Sequence, residues 1–350
     1  MQICKKLITA TAKKMIESFL GGNAMNKKII LSMVLIIAFV GFLFGCGTEQ
    51  EGVVIYTSVE DYVIEDMQNR LSETFPDYDI TVEYVSTGNH AAKLLAEGEN
   101  SECDISYDLE YAYMEQVSRA GSLADLSGYD KTIYSEDTVL SDNYLIQCRV
   151  GGAVILNTEV LNEKGLAEPT CYEDLLKPEY QGLISMPNPK SSGTGYMFLK
   201  SLVNTWGEDK AFEYFDKLTP NVLQYTSSGS GPVNALIHKE AAIGLWMTSH
   251  AVTQINEGSP LKVVFFEEGS PFTLYGMGIV AGKEDKPAVK EVFDFLVNTY
   301  SYELNEKFFP EQMFKDKVYT VENYPENIVY ADMSNNTIEE KERLLAKWAY

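Results

Sequence analysis

From Gly52 onward, short apolar runs alternate with stretches whose apolar residues recur at helical spacing. Gly52-Val-Val-Ile-Tyr56 reads as a buried strand, followed by a loop, Thr57–Asp61, with oxygen-bearing caps. Val63, Ile64, Met67, Leu71 and Phe75 fall on one helix face, and Pro76 stops that helix. Ile80 to Val85 alternates as a strand, Ser86–Asn89 turns, and His90 to Glu97 begins a second helix. Asp104 to Asp108 predicts a third strand, and Tyr111 to Ala120 a third helix. Strands that alternate with helices imply an α/β fold with a parallel sheet and right-handed crossovers. Such sheets take ligands at the carboxyl ends of their strands, where Thr57–Asp61, Ser86–Asn89 and Asp108–Tyr111 fall.

Tyr144 to Asn157 is a long extended run broken by Gly151-Gly152, which suits a strand that passes between lobes and bends at its glycines. A second α/β unit follows. It comprises a strand at 183–186, helices at 196–206, 211–218 and 232–238, a strand at 242–246 and a return strand at 261–266. Met277–Ala281 reads as a strand and Pro287–Asn298 as a helix; the last fifty residues are helix and loop.

The segment before Gly52 has a different pattern. Asn26-Lys27-Lys28 is followed by an apolar run from Ile29 to Phe44, then Gly45-Cys46, the order of a secretory signal. A cysteine after a small residue resembles the bacterial lipobox, so Cys46 is expected to be the lipidated N-terminus of an exported chain. The alternative is an uncleaved anchor, for which the run is short of the ~20 residues a span needs. Residues 1–24 do not fit a leader, and translation is expected to start at Met25. The expected organisation is a signal peptide over 1–45, a tether over 46–52, one lobe from 53–149 and 267–350, and a second from 150–266.

Charge then narrows the partners. The chain carries a formal net charge of −23, and the leader holds six Lys and one Glu, so the exported part is more acidic still. Nucleic acid needs a basic footprint and is excluded as a partner. An anionic ligand would have to be held by local donors. Cys103, Cys148 and Cys171 form no closed disulfide framework or metal spacing; buried free thiols are expected, with a Cys103–Cys148 bridge left open.

Two loops carry candidate chemistry. Ser191, Ser192, Gly193 and Thr194 follow Pro187-Asn-Pro-Lys190 and open a helix. Hydroxyls and approachable backbone amides at a helix N-terminus attract anions. Tyr225, Ser227, Ser228 and Ser230 precede Gly231-Pro232 with the same physics. Trp246, Thr248 and Tyr275 are candidates for a ligand wall, against the alternative of plain core packing. For both loops the alternative is a self-capped turn that binds nothing. The three histidines stand at no metal-binding or catalytic spacing; no metal, cofactor or enzymatic activity is expected.

The order of segments resembles extracellular solute-binding proteins of ABC importers, in the group of ferric-iron, sugar-phosphate and phosphonate binders. The likeness lies in Val54-Ile-Tyr-Thr-Ser58; Ser86-Thr-Gly88 with Ala92-Lys-Leu94; Cys103-Asp-Ile105; Gly121 to Leu126; Tyr172 to Ile184; Ser191-Ser-Gly-Thr-Gly195; and Gly269 with Gly276. The stretch 172–195 is the most specific. The resemblance implies a two-lobe periplasmic-binding type II fold with strands crossing between lobes. It implies a small-molecule solute, a membrane permease and an ATPase as partners, and a lipid-tethered monomer. Carried over by motif, Thr57, Ser58, Thr87 and Gly88 would face the cleft from one lobe, and the two hydroxyl loops from the other. Iron binders of this group use adjacent tyrosines, and this chain has no Tyr-Tyr doublet, so a phosphate-, phosphonate- or carboxylate-bearing solute is the expected cargo. Alternatives are ferric iron, a cationic solute held by Glu60 and Glu110, or an extracellular enzyme or sensor on the same scaffold.

Overall fold

The computed structural model describes residues 52–135 and 138–350; the expected signal peptide, Cys46 and the start at Met25 lie outside the described residues. The first half is built from strands β1 (Gly52–Thr57), β2 (Asp79–Tyr84) and β3 (Ile105–Glu110) with helices α1 (Asp61–Thr74), α2 (Thr87–Glu97) and α3 (Tyr111–Arg119). β4 (Leu145–Asn157) then carries the chain into the second half. There α4 (Thr158–Lys164), β5 (Ile184–Pro187), α5 (Gly193–Trp206), α6 (Glu208–Leu218), β6 (Val222–Thr226), α7 (Gly231–Ile237), β7 (Ile243–Met247), α8 (Thr248–Asn256) and β8 (Leu261–Val264) follow. β9 (Phe272–Ile279) returns to the first half, and α9 (Pro287–Phe295), α10 (Ser301–Lys307) and α11 (Ile338–Lys347) complete the chain.

The strands lie in the order β2-β1-β3-β9-β4-β7-β5-β6, with β8 on β4. β1 is parallel to β2 and β3, and β5 is parallel to β6 and β7, as the strand–helix alternation predicts. β4 pairs antiparallel with β9 through Gly151 and with β7 from Gly152. One strand therefore belongs to both halves, and the change of partner falls on the glycine pair. Neither glycine has a positive φ. What each supplies is space. A Cβ on Gly151 would lie 2.6 Å from a Glu311 carboxylate oxygen, and one on Gly152 would lie 2.6 Å from the Met197 methyl. The bend expected at these glycines is in fact a close approach.

Several elements depart from the sequence pattern. Thr248, a candidate for a ligand wall, opens α8; β6 and α4 were not anticipated. β9 starts at Phe272, five residues before the expected Met277. The chain end touches both halves: Leu344 and Trp348 pack in one core with Phe215 and Leu218. α11 also reaches back to the first half, where Arg119 pairs with Glu339 at 2.9 Å. Cys103 and Cys148 are buried and free, and Cys171 is free, so the Cys103–Cys148 bridge does not form.

Candidate functional site

The carboxyl ends of both parallel strand sets open on one cavity, with about 390 Å³ of empty space. From the first half it is lined by Ser58 and Glu60 after β1, Tyr84, Ser86 and Thr87 around the end of β2, and Asp108 in β3. From the second half come Ser191, Ser192 and Thr194 after β5, Ser228 and Gly229 after β6, and Met247 at the end of β7. Val150, Tyr275 and Phe309 form the floor. A wider mouth of about 1160 Å³ adds Asn89, Ser227 and Ser230.

Local chemistry explains each wall. In the loop before α5, Asn188 Oδ1 accepts from the Lys190 amide at 2.9 Å and folds the chain into a tight turn. Ser192 caps α5, its Oγ accepting from the Gly195 amide at 3.4 Å. Gly195 must be glycine because a Cβ would lie 2.5 Å from the Pro187 carbonyl. Gly229 likewise lets the second loop close on the first, where a Cβ would meet Thr194 Oγ1 at 2.6 Å. On the opposite wall, α1 and α2 start at Glu60 and Ser86 without a side-chain cap. Three helix N-termini thus border one cavity, each worth about half a positive charge, and two of them lack a side-chain cap.

The cavity also holds hydroxyls that the protein leaves unused. Thr87, Thr194 and Tyr275 are 7%, 2% and 6% exposed and line the cavity, and among the described residues their hydroxyls have no hydrogen-bond partner. Beside them stand two carboxyls. Asp108 sits at φ 57°, a left-handed backbone conformation that a non-glycine residue adopts at a cost of about 1–3 kcal/mol. Ser58 Oγ donates to its carbonyl at 2.5 Å, and Gln147 Nε2 donates to Oδ1 at 2.7 Å. Burial, with the Glu60 charge second, holds Asp108 well above the usual carboxylate range. Burial pushes Glu60 up to about 7. No Lys, Arg or His lines the cavity.

Of the residues singled out from sequence, Ser58, Thr87, Ser191, Ser192, Thr194, Ser228 and Tyr275 line the cavity, and Ser227 and Ser230 its mouth. The others lie elsewhere. Thr57 is buried and its Oγ1 accepts from the Val59 amide at 3.2 Å. Gly88 sits in the first turn of α2, and Gly193 lies behind the wall, where a Cβ would be 2.7 Å from Tyr275 Oη. Tyr225 turns away: its hydroxyl meets Thr219 at 2.8 Å and its ring packs edge-on to Trp348. Trp246 is core in a central strand, against His250, and Thr248 is fully buried in α8. Glu110 points to the opposite side of the β3 end, paired with Lys341. Tyr84, Val150, Met247 and Phe309 were missed, and Ser86, Asp108 and Gly229 were reached only as members of ligand-end loops, not singled out. Asp108 stands near the carboxyl end of β3, and the sequence reading reached it only as the first residue of the loop 108–111.

Comparison with known proteins follows this geometry. Residues 111–337, more than half of the chain, match the family described as bacterial extracellular solute-binding protein. The chain belongs to that family. This solute-binding protein superimposes with a TM-score of 0.73 on the periplasmic binding protein AfuA of Actinobacillus pleuropneumoniae, solved with fructose-6-phosphate, at 25% identity over 85% of this chain and 97% of that one. The periplasmic binding protein P5PA gives 0.72 at 24% identity, over 85% of this chain and 98% of that one. A protein of Haemophilus influenzae is 27% identical over 79% of this chain and 82% of its own length. The spermidine/putrescine-binding periplasmic protein of Salmonella typhimurium is 27% identical over 41% of this chain and 42% of its own length. The solute-binding protein thus has the two-lobe periplasmic-binding type II fold with strands crossing between lobes. Among the described residues no helix is long and apolar enough to cross a membrane, and no three His, Cys, Asp or Glu cluster for a metal ion.

Proposed function

We propose that this protein is the receptor of an ABC importer and captures a small solute through an anionic group. Cys46 carries the lipid that tethers it to the outer face of a membrane, near its permease and ATPase. One lobe comprises 53–149 with the chain after 267, and the other 150–266; they close on the solute, and the closed form engages the permease. The observation that carries this reading is the pairing across the cleft of Thr87 and Thr194, buried and unpartnered, at the N-termini of α2 and α5. A phosphate, phosphonate or carboxylate there would accept from hydroxyls and backbone amides without a basic side chain. AfuA, solved with a sugar phosphate, supports an anion on this scaffold.

A thermal-shift screen of residues 46–350 against phosphate esters, phosphonates, carboxylates, polyamines and Fe³⁺ tests it. A solute at a hundred times its Kd adds about 2.7 kcal/mol. Stabilisation by one of the anionic classes is expected; stabilisation by Fe³⁺ or a polyamine alone overturns the anionic reading.

A further inference from the structure

Glu311 is a buried acid that lines no part of the solute cavity, and its contacts lie at the crossing between the two halves. β4 leaves β9 at Gly151 and joins β7 at Gly152. At that step the Gly151 amide donates to Glu311 Oε1 at 3.0 Å, and Ser270 Oγ, just before β9, donates to the Gly152 carbonyl at 2.8 Å. Tyr324 and Tyr330 donate to the same Glu311 carboxylate, which as an acceptor with two oxygens can serve all three donors. The approach to β9 is gripped as well. The Ser270 amide donates to the Val329 carbonyl and the Ala331 amide to the Ser270 carbonyl, both at 2.8 Å. This close fit requires Gly269, where φ is 87° and a Cβ would lie 2.8 Å from the Ala331 nitrogen.

Away from the crossing, the same stretch of chain is fastened to both halves. On the first half, the Lys315 amide donates to the Ile133 carbonyl and the Ser135 amide to the Met313 carbonyl, both at 2.8 Å, and the Phe314 ring stacks on Tyr134. On the second half, Asn256 at the end of α8 donates to the Glu322 carbonyl at 3.0 Å and accepts from Asn323 at 2.6 Å. Asn204 in α5 donates to the Asp332 and Ser334 carbonyls at 2.9 Å. A segment fixed to both halves must deform when they move, and the bonds at its middle bear on the strand step that bends.

We propose that residues 310–334 form a brace across the hinge, with Glu311 as the positioning residue that sets the angle at which β4 passes from one lobe to the other. This rests on the reading that the lobes close on a solute, and concerns how far they move rather than what they hold. Glu311 touches no solute and acts through the Gly151 amide.

Pulsed electron-spin resonance on residues 46–350 tests this. Spin labels go at Asn89→Cys and Ser227→Cys, which border the mouth from opposite lobes, with the half-buried Cys171 replaced by serine. Without solute, Glu311→Ala is expected to widen the distance distribution or shift its mean by more than about 2 Å. Glu311→Gln keeps an acceptor for the Gly151 amide and is expected to stay close to the wild type. Asn256→Ala frees the brace from the second lobe at an exposed position and is expected to act as Glu311→Ala does, which keeps the test decisive if Glu311→Ala does not fold. Wild-type distributions in both alanine variants overturn the brace alone, when the most stabilising compound of the thermal-shift screen shortens the wild-type distance. A wild-type distance that this compound leaves unchanged overturns the closure reading beneath it.

Discussion

Glu110 and Asp108 are two residues apart in β3 and live in opposite electrostatic settings. Glu110 is fully buried and fully served: Lys341 pairs with it, Thr273 donates at 3.0 Å and Asn336 at 3.3 Å. Glu311 is served in the same way by the Gly151 amide at 3.0 Å, Tyr324 at 2.7 Å and Tyr330 at 2.5 Å. Asp108 and Glu60 open on a cavity and have no cationic partner among the described residues. Buried carboxylates without partners are costly, and Glu110 and Glu311 are both satisfied. The difference teaches which acids hold the fold together and which are kept for something that arrives from outside.

The sharpest way to break this contrast is to give Glu110 the condition of Asp108. Lys341→Ala leaves a buried carboxylate unpaired and is expected to lower stability by about 3–5 kcal/mol in chemical denaturation. Lys341→Met with Glu110→Gln is expected to recover most of that loss. If Lys341→Ala is tolerated, the pair is not structural and the contrast fails. Next in size is Thr194→Val, which keeps the shape and removes one buried hydroxyl. It is expected to weaken binding of the tightest anionic solute by roughly 1.5–3 kcal/mol, with unfolding midpoint nearly unchanged. Titration calorimetry reads the first and denaturation the second.

Glu60 gives a pH signature. Its folded pKa, about 7, lies above the ordinary 4.5, so the folded state binds the extra proton between them. Its contribution therefore favours folding at low pH, declines as pH rises from about 4.5 to 7, and stays at full cost above. Glu60→Gln is expected to flatten that part of the stability profile of the unliganded protein and to stabilise it by about 1–3 kcal/mol at pH 8. A profile identical to that of the wild type would show that the charge is already compensated. The smallest effect is expected for Tyr225→Phe. It loses a hydroxyl contact to Thr219 on the far side of β6, at about 1 kcal/mol or less of stability, with no change in solute affinity.

How far the sequence was legible divides along the same line. The alternation of strands and helices was enough to place the loops after the first three strands on one face, because parallel strands present their carboxyl ends together. The hydroxyl wall was readable because serine, threonine, glycine and proline at a helix start have local meaning. The acidic wall was not, because it depends on which way one strand end turns. Glu110 was chosen as the acid of β3 and Asp108 was passed over. A positive φ at Asp108 and the lysine that arrives on α11 decide between them, and neither is a local property. Phe309 reaches the floor from a distant segment for the same reason. Thr248 misled because a polar residue beside an aromatic strand end suits a ligand wall, although here it opens the buried first turn of α8.

Hydrogen–deuterium exchange, with and without the tightest solute of the screen, tests the central claim most directly. The account predicts slowed exchange in the first turns of α2 and α5, at Thr87–His90 and Gly193–Tyr196, and in the 227–230 loop, with no change around Tyr225 and Trp348. Protection confined to the groove lined by Pro310, Tyr319 and Tyr324, with the two helix starts unaffected, would contradict it.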